Sequence, residues 1–344
     1  MESFVVDYYS KELFPKLKTS WEVLEKGPDM TCFQSYKWYE MLNGCYVPDD
    51  TKDFVSVYAV VRQNERTVLI APLWIVKRTF GWVNKKGVYF LGREGWSDYL
   101  NFIYDTFSGD ALLFLLKSVT TKYKVSICRF SEIRQNVMTY KFLSSLNDVI
   151  ISKPSTCVAL SLPSTTEEYR MMLSKNARQN VRTAHNRLKK DGIDMTIIYD
   201  DNHVDRDKCH GLREQRFIKK FEKRSYLRII KQTIGWRLTY HFHQYLPYYS
   251  YDSGHFLTTY HGEELCSFFY YLTDSVHRHI LFIAAGINMK YAKYSPGIVS
   301  LNAFINKHIE LKEYDVIDFT RGDEPYKYAV GGKDHYINEI VLNL

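Results

Sequence analysis

Four stretches of this 344-residue chain carry side chains whose type and order could do chemistry. The first is Lys293-Tyr294-Ser295-Pro296-Gly297, between an expected strand ending near Ile287 and an expected helix over Pro296 to Leu311. Ser295 suits a helix N-cap, Pro296 the first helical position, and Gly297 admits close approach to the backbone. Such a helix end offers unpaired N–H groups and a positive dipole, which together hold phosphate, and Lys293 adds a full charge. An ordinary well-capped helix carries the same residues.

The second stretch is Arg321-Gly322-Asp323-Glu324-Pro325-Tyr326-Lys327, directly after an expected strand over Tyr314 to Phe319. A rigid strand aims the charged groups at its end. Lys327 could stabilise an oxyanion there, and Asp323 or Glu324 could accept a proton. The composition is equally that of a polar turn. The third is the basic face of a helix. At about 100° per residue, Lys175, Arg178 and Arg182 fall on one side, and no acid interrupts Arg170 to Lys190. That face either grips a phosphorylated donor or sugar nucleotide, or is simply solvated. The fourth, Gly92-Arg93-Glu94-Gly95-Trp96-Ser97-Asp98-Tyr99, could line a pocket for a polar acceptor, or form a loop in which Asp98 caps a turn.

Other chemistries lack their residues. There is no G-x-S-x-G, no G-x-x-x-x-G-K-[ST] and no strand-linked G-x-G-x-x-G, which argues against a serine hydrolase, a P-loop NTPase and a simple dinucleotide oxidoreductase. His241 and His243, or His277 and His279, have no third partner at ligand spacing, so no metal is expected. The six cysteines form no C-x-x-C pair and read as reduced thiols of a cytoplasmic protein. The N-terminus, Met1 to Asp7, carries acids where a signal peptide needs bases, and no apolar run is long enough to span a bilayer. Lys+Arg 46 against Asp+Glu 39 gives +7, which favours an anionic small partner and falls short of a dedicated DNA binder.

The elements that must position these residues alternate between strand and helix, an α/β pattern of mixed sheets. Strands are expected at Phe54 to Val61, Thr67 to Val76, Gly87 to Leu91 and Val125 to Phe130, with a helix at Ser108 to Val119. The Lys-Pro-Ser-Thr segment near Ser152 to Thr156 breaks the pattern, so two domains are expected, 1–160 and 161–344. The second opens with one long helix: Ser164 and Glu167 have capping-box spacing, and Tyr169, Leu173, Ala177, Val181, Ala184 and Leu188 form one apolar stripe ending at Asp191-Gly192. Helices at Asp205 to Phe221 and Ile229 to Tyr245 follow, then strands at His255 to Tyr260, Glu264 to Leu272 and His279 to Ile287.

In order, these pieces resemble the CelD-type branch of the GNAT acyltransferase superfamily. The likeness rests on Trp21, Phe33-Gln34-Ser35 and Trp38, Ala71-Pro72-Leu73, Leu91-Gly92 with Ser97-Asp98-Tyr99, Asn176 through Arg182, Tyr294-Ser295-Pro296-Gly297, and Asp318-Phe319 through Tyr326-Lys327. It covers essentially the whole chain and is most specific in the last third. The resemblance implies two tandem GNAT-like lobes, with acyl transfer from acyl-CoA to an amine centred on the second. The family's phosphate loop reads Q/R-x-x-G-x-G/A, whereas this chain has Lys293-Tyr294-Ser295-Pro296-Gly297-Ile298, with one glycine and a proline. The related Fem peptidyltransferases, which use aminoacyl-tRNA, carry an aromatic-Lys-x-x-aromatic-Gly run. Tyr326 to Gly331 is similar, with Val330 in place of the second aromatic. No long charged helical hairpin of the Fem kind stands in the sequence.

The expectation is therefore an N-acyltransferase, acetyl-CoA-dependent, acting on the amine of an amino sugar, sugar nucleotide or similar polar metabolite. Lys293 to Gly297 would hold the donor diphosphate and Lys327 the oxyanion. Asp98, Asp318 or Asp323 would take the amine proton. Trp96, Tyr99, Tyr326, Lys175, Arg178, Arg182 and the tyrosines of Tyr245 to Tyr260 would contact substrate. The alternatives are a Fem-like aminoacyl-tRNA-dependent transferase and a non-catalytic GNAT-fold subunit of polysaccharide synthesis.

Overall fold

The computed structural model describes residues 4–45, 47, 50–77, 86–92, 97–221 and 251–344. The chain divides into two compact units, residues 1–157 with 334–344, and residues 158–333. The expected division at residue 160 put 334–344 with the second lobe; here those residues return to the first.

In the first unit β1 (Phe4–Tyr9), β2 (Phe54–Gln63), β3 (Arg66–Val76) and β4 (Gly87–Phe90) pair antiparallel in chain order. β5 (Ile127–Arg134) joins β4 in parallel, and the C-terminal strand Lys333–Asn343 joins β5, with β6 (Val149–Ile151) beside it. Helices α1 (Lys18–Leu24), α2 (Tyr36–Cys45), α3 (Gly109–Tyr123) and α4 (Met138–Ser144) complete it. Neither α4 nor the C-terminal strand was expected. Trp21, Phe14, Tyr36, Tyr39 and Tyr58 form one aromatic core, which accounts for part of the high tyrosine content.

The second unit has strand order β7-β12-β11-β10-β9-β8, with β7 at Ser155–Ser161, β8 at Thr196–Ile198, β9 at Gly254–His261, β10 at Glu264–Asp274, β11 at His279–Ile287 and β12 at Val316–Arg321. Its helices are α5 (Thr166–Met172), α6 (Lys175–Lys190), α7 (Arg206–Phe221), α8 (Pro296–Leu311) and α9 (Pro325–Ala329). The expected helix at Ile229 to Tyr245 lies outside the described residues.

The long helix expected from Ser164 is two helices. Leu173 is extended (ψ 141°), and Ser174 starts α6 by accepting the Ala177 N–H. The capping pair is shifted by one residue: the Thr165 hydroxyl accepts the Glu168 N–H, and the Glu168 carboxylate accepts the N–H of Ser164. Tyr169 and Leu173 still lie on the apolar stripe, so side-chain periodicity survives a break that only the backbone records.

Two departures from regularity in β11 prepare the site. Tyr270 of β10 opposes Ala284 and Tyr271 opposes Phe282, so Ile283 is an extra, bulged residue. The bulge resets the alternation, and Ile280, Phe282 and Ala285 all belong to the core under α8. On the other side β11 and β12 pair in parallel only from His279–Val316 to Leu281–Asp318. Beyond that rung the two strands continue without a ladder between them.

Candidate active site

The gap between β11 and β12 is a cavity of about 140 Å³, lined by Phe282 to Ala285 on one strand, Phe319 to Arg321 on the other, and Arg213, Glu324, Tyr326 and Lys327. A second groove of about 240 Å³ lies at the start of α8, against Ser295, Gly297 and Ile298. Phe269, Ala285 and Tyr326 line both. The opening of α8 and the Tyr326-Lys327 turn, far apart in sequence, thus border adjoining cavities that share these three wall residues and are taken together as the channel.

Lys327 is 2% exposed, and its Nζ donates to the carbonyls of Thr320 at 3.2 Å, Arg321 at 2.9 Å and Gly322 at 2.9 Å. The Glu324 carboxylate lies 3.1 Å from the same nitrogen. An ammonium has three N–H donors, so these contacts engage the whole group. Its partners form a strained turn. Thr320 has φ 52°, a conformation uncommon for a β-branched residue, and Gly322 has φ 110°. Thr320 is held from three sides. Asp318 Oδ1 accepts its N–H at 2.7 Å, its Oγ1 donates to the Phe282 carbonyl at 2.8 Å across the gap, and Lys327 takes its carbonyl. The Thr320 hydroxyl therefore spans the strands where their ladder has stopped.

At the other end of the channel Ser295 is in the left-handed region (φ 51°), and its hydroxyl makes no capping bond. The cap is backbone: the N–H groups of Ile298 and Val299 donate to the Ser295 carbonyl. Pro296 has no N–H, and the Gly297 N–H has no partner among the described residues. Lys293 and Tyr294 turn away from the groove, both donating to Asp191 Oδ2 at 2.9 Å. Those bonds hold the Asp191 carboxyl below the usual range and raise the Lys293 ammonium.

The remaining expected residues scatter. Asp323 is exposed and does not line the channel, whereas its neighbour Glu324 does. Asp318 is buried. Asp98 and Tyr99 belong to the first unit, where Tyr99 is buried and its hydroxyl meets His335 at 3.2 Å. Trp96 and residues 245–250 lie outside the described residues. Arg178 and Arg182 line a separate groove, and Lys175 does not. Sequence reasoning missed Arg213 and Thr320, which no motif marks. Among the described residues, no cluster of His, Cys, Asp or Glu could hold a metal, and no helix is long and apolar enough to cross a membrane.

Residues 175–328 match the acetyltransferase (GNAT) domain family. Residues 175–328 thus form a GNAT-type acetyltransferase domain. The match takes in both ends of the channel and every residue named along it. No curated protein matches the sequence. Among solved structures, FemX is similar at a TM-score of 0.61 and 10% identity, over 99% of this chain and 97% of that one. A conserved protein of unknown function from Bacteroides thetaiotaomicron is similar at 0.56 and 11%, over 100% of both. At such identities the likeness is one of fold.

Proposed function

We propose that the protein is an N-acyltransferase of the CelD type, transferring an acyl group, acetyl in the simplest case, from acyl-CoA to the amine of an amino sugar, sugar nucleotide or similar polar metabolite. The channel carries this reading, because it sets the open N-terminal end of α8 beside a gap between parallel strands. The Gly297 N–H and the start of α8 suit the donor's diphosphate. The β11 edge beyond Leu281, which β12 leaves unpaired, suits the amides of an extended pantetheine arm. The donor supplies an activated thioester carbonyl.

The protein's task is to deliver an uncharged amine, since an ammonium has no lone pair to attack with. Of the carboxylates considered, Glu324 is the one on the channel, so we assign it the proton in preference to Asp98, Asp318 or Asp323. Lys327, with its donors committed, acts by holding the Thr320–Gly322 turn rather than by touching the oxyanion. A thermal-shift screen with acetyl-CoA, longer acyl-CoAs and sugar nucleotides, followed by thiol release with candidate amines, tests the reading. No stabilisation by any acyl-CoA would overturn it.

A Fem-like transferase using aminoacyl-tRNA is the second reading, favoured by α6, whose exposed surface carries bases and no acids. Activity that survives ribonuclease when acyl-CoA is supplied decides against it.

A further inference from the structure

A groove of about 400 Å³ lies away from the channel, between α5, α6 and α8. Its floor is apolar, with Tyr169 and Leu173 buried. The Tyr169 hydroxyl donates to the Val330 carbonyl and shares a hydrogen bond with Asn302. On α8, Asn306 Nδ2 donates to both the carbonyl and Oδ1 of Asn302, which fixes a pair of amides on the wall.

The opposite wall is cationic. Arg178 Nη1 donates to the Leu173 carbonyl at 2.7 Å and to the Arg170 carbonyl at 3.2 Å, so the end of α5 sets the guanidinium in place while its other nitrogens remain for a ligand. Arg182, one turn along α6, is exposed and has no partner among the described residues. The acid in the groove, Glu167, is taken by Arg170 through two bonds of 2.8 and 2.6 Å. Arg178 and Arg182 therefore stand four residues apart on one helix with no countercharge, an arrangement that costs helix stability. An anion between them removes that cost, and guanidinium pairs match phosphate oxygens in geometry as well as charge.

We infer that this groove binds a phosphate ester. The inference goes beyond the acyl-transfer reading and does not depend on it. Two sources share the chemistry. Ile298, Asn302 and Asn306 recur every four residues on α8, and Ile298 borders the channel, so the phosphorylated far end of a donor could reach the groove. A phosphorylated acceptor could equally occupy it.

The test is calorimetric titration of the full chain with inorganic pyrophosphate, CoA, 3′-dephospho-CoA and glucosamine 6-phosphate. Arg182→Gln, at an exposed position, is compared with Arg182→Lys and with Lys190→Gln, a charge on the same helix outside the groove. Pyrophosphate should bind roughly tenfold more weakly to Arg182→Gln, the factor of one charge-assisted hydrogen bond, and Arg182→Lys should recover part of the loss. A loss seen with CoA but not with 3′-dephospho-CoA assigns the groove to the donor. A loss confined to glucosamine 6-phosphate and pyrophosphate assigns it to the acceptor. If Arg182→Gln binds pyrophosphate as the parent does, or Lys190→Gln loses as much, the site does not exist.

Discussion

Lys327 Nζ donates to the Gly322 carbonyl at 2.9 Å, binding a buried side chain to the turn five residues before it. The same ammonium holds the carbonyls of Thr320 and Arg321, so one cation organises three successive peptides at the mouth of the β11–β12 gap. A lysine at this position looks like a catalytic group in the sequence, because a charge after a strand has no visible partner. Folding supplies the partners from the backbone, which no residue pattern encodes.

Lys327→Met keeps the volume and removes the charge, leaving three carbonyls without their donor and the Glu324 carboxylate without its neighbouring cation. Breaking a buried ionic contact of this kind costs about 3 kcal/mol. The second unit's unfolding transition should fall by roughly 6–12 °C in scanning calorimetry, with CoA affinity falling alongside it. Unchanged stability and affinity with slower turnover would instead restore Lys327 to the reacting carbonyl.

Gly286 sits where β11 meets α7. A Cβ there would lie 2.4 Å from the Phe268 ring and 2.9 Å from Leu212 Cβ. Gly286→Ala should overpack this contact and destabilise by about 1–3 kcal/mol, read as a lower urea midpoint at constant m-value. A midpoint equal to the parent's would mean that α7 shifts freely on the sheet.

The strand His279–Ile287 and the helix Pro296–Leu311 were legible to the residue, because a run of apolar and β-branched side chains and a Ser-Pro-Gly start are local signals. The start of α8, the end proposed to meet phosphate, could be placed from them. Three features were not legible. The Leu173 break leaves the apolar stripe intact, the Ile283 bulge is a matter of register with β10, and the parting of β11 from β12 needs both strands in hand. Lys293 was misleading for a related reason: its charge is spent on Asp191, about a hundred residues away in sequence.

Acid should loosen the second unit through His308. This ring is buried against Phe304 and Tyr314, and its Nδ1 has no partner among the described residues. Burial, with the Lys307 charge assisting and Asp200 opposing, pushes its pKa from the ordinary 6.5 down to about 4. In the unfolded chain the same imidazole takes a proton near its ordinary value. The neutral ring's contribution is therefore complete above pH 6.5 and is lost as pH falls from there toward 4. Melting temperatures measured across that range should decline, and His308→Leu should flatten the decline. An equal slope in both proteins would assign the acid sensitivity to other groups.

Gly297→Val separates the proposed donor site from the fold that carries it. A Cβ at this position meets only the Phe269 ring, at 3.5 and 3.6 Å, which is ordinary contact, so the backbone tolerates a side chain. The added methyls instead occupy the groove at the start of α8, beside the N–H that would meet a phosphate. Valine is no worse a helix former than the glycine it replaces, so the melting temperature should stay within about 2 °C of the parent. CoA should bind at least roughly tenfold more weakly by calorimetry, since losing one charge-assisted contact and its space is worth about 1.4 kcal/mol or more. The Lys327→Met variant loses affinity together with stability, whereas this one should lose affinity alone. That contrast distinguishes a residue at the ligand from one that shapes the channel. Equal CoA affinity in Gly297→Val would mean that the diphosphate lies elsewhere, and the channel would lose its assigned entrance.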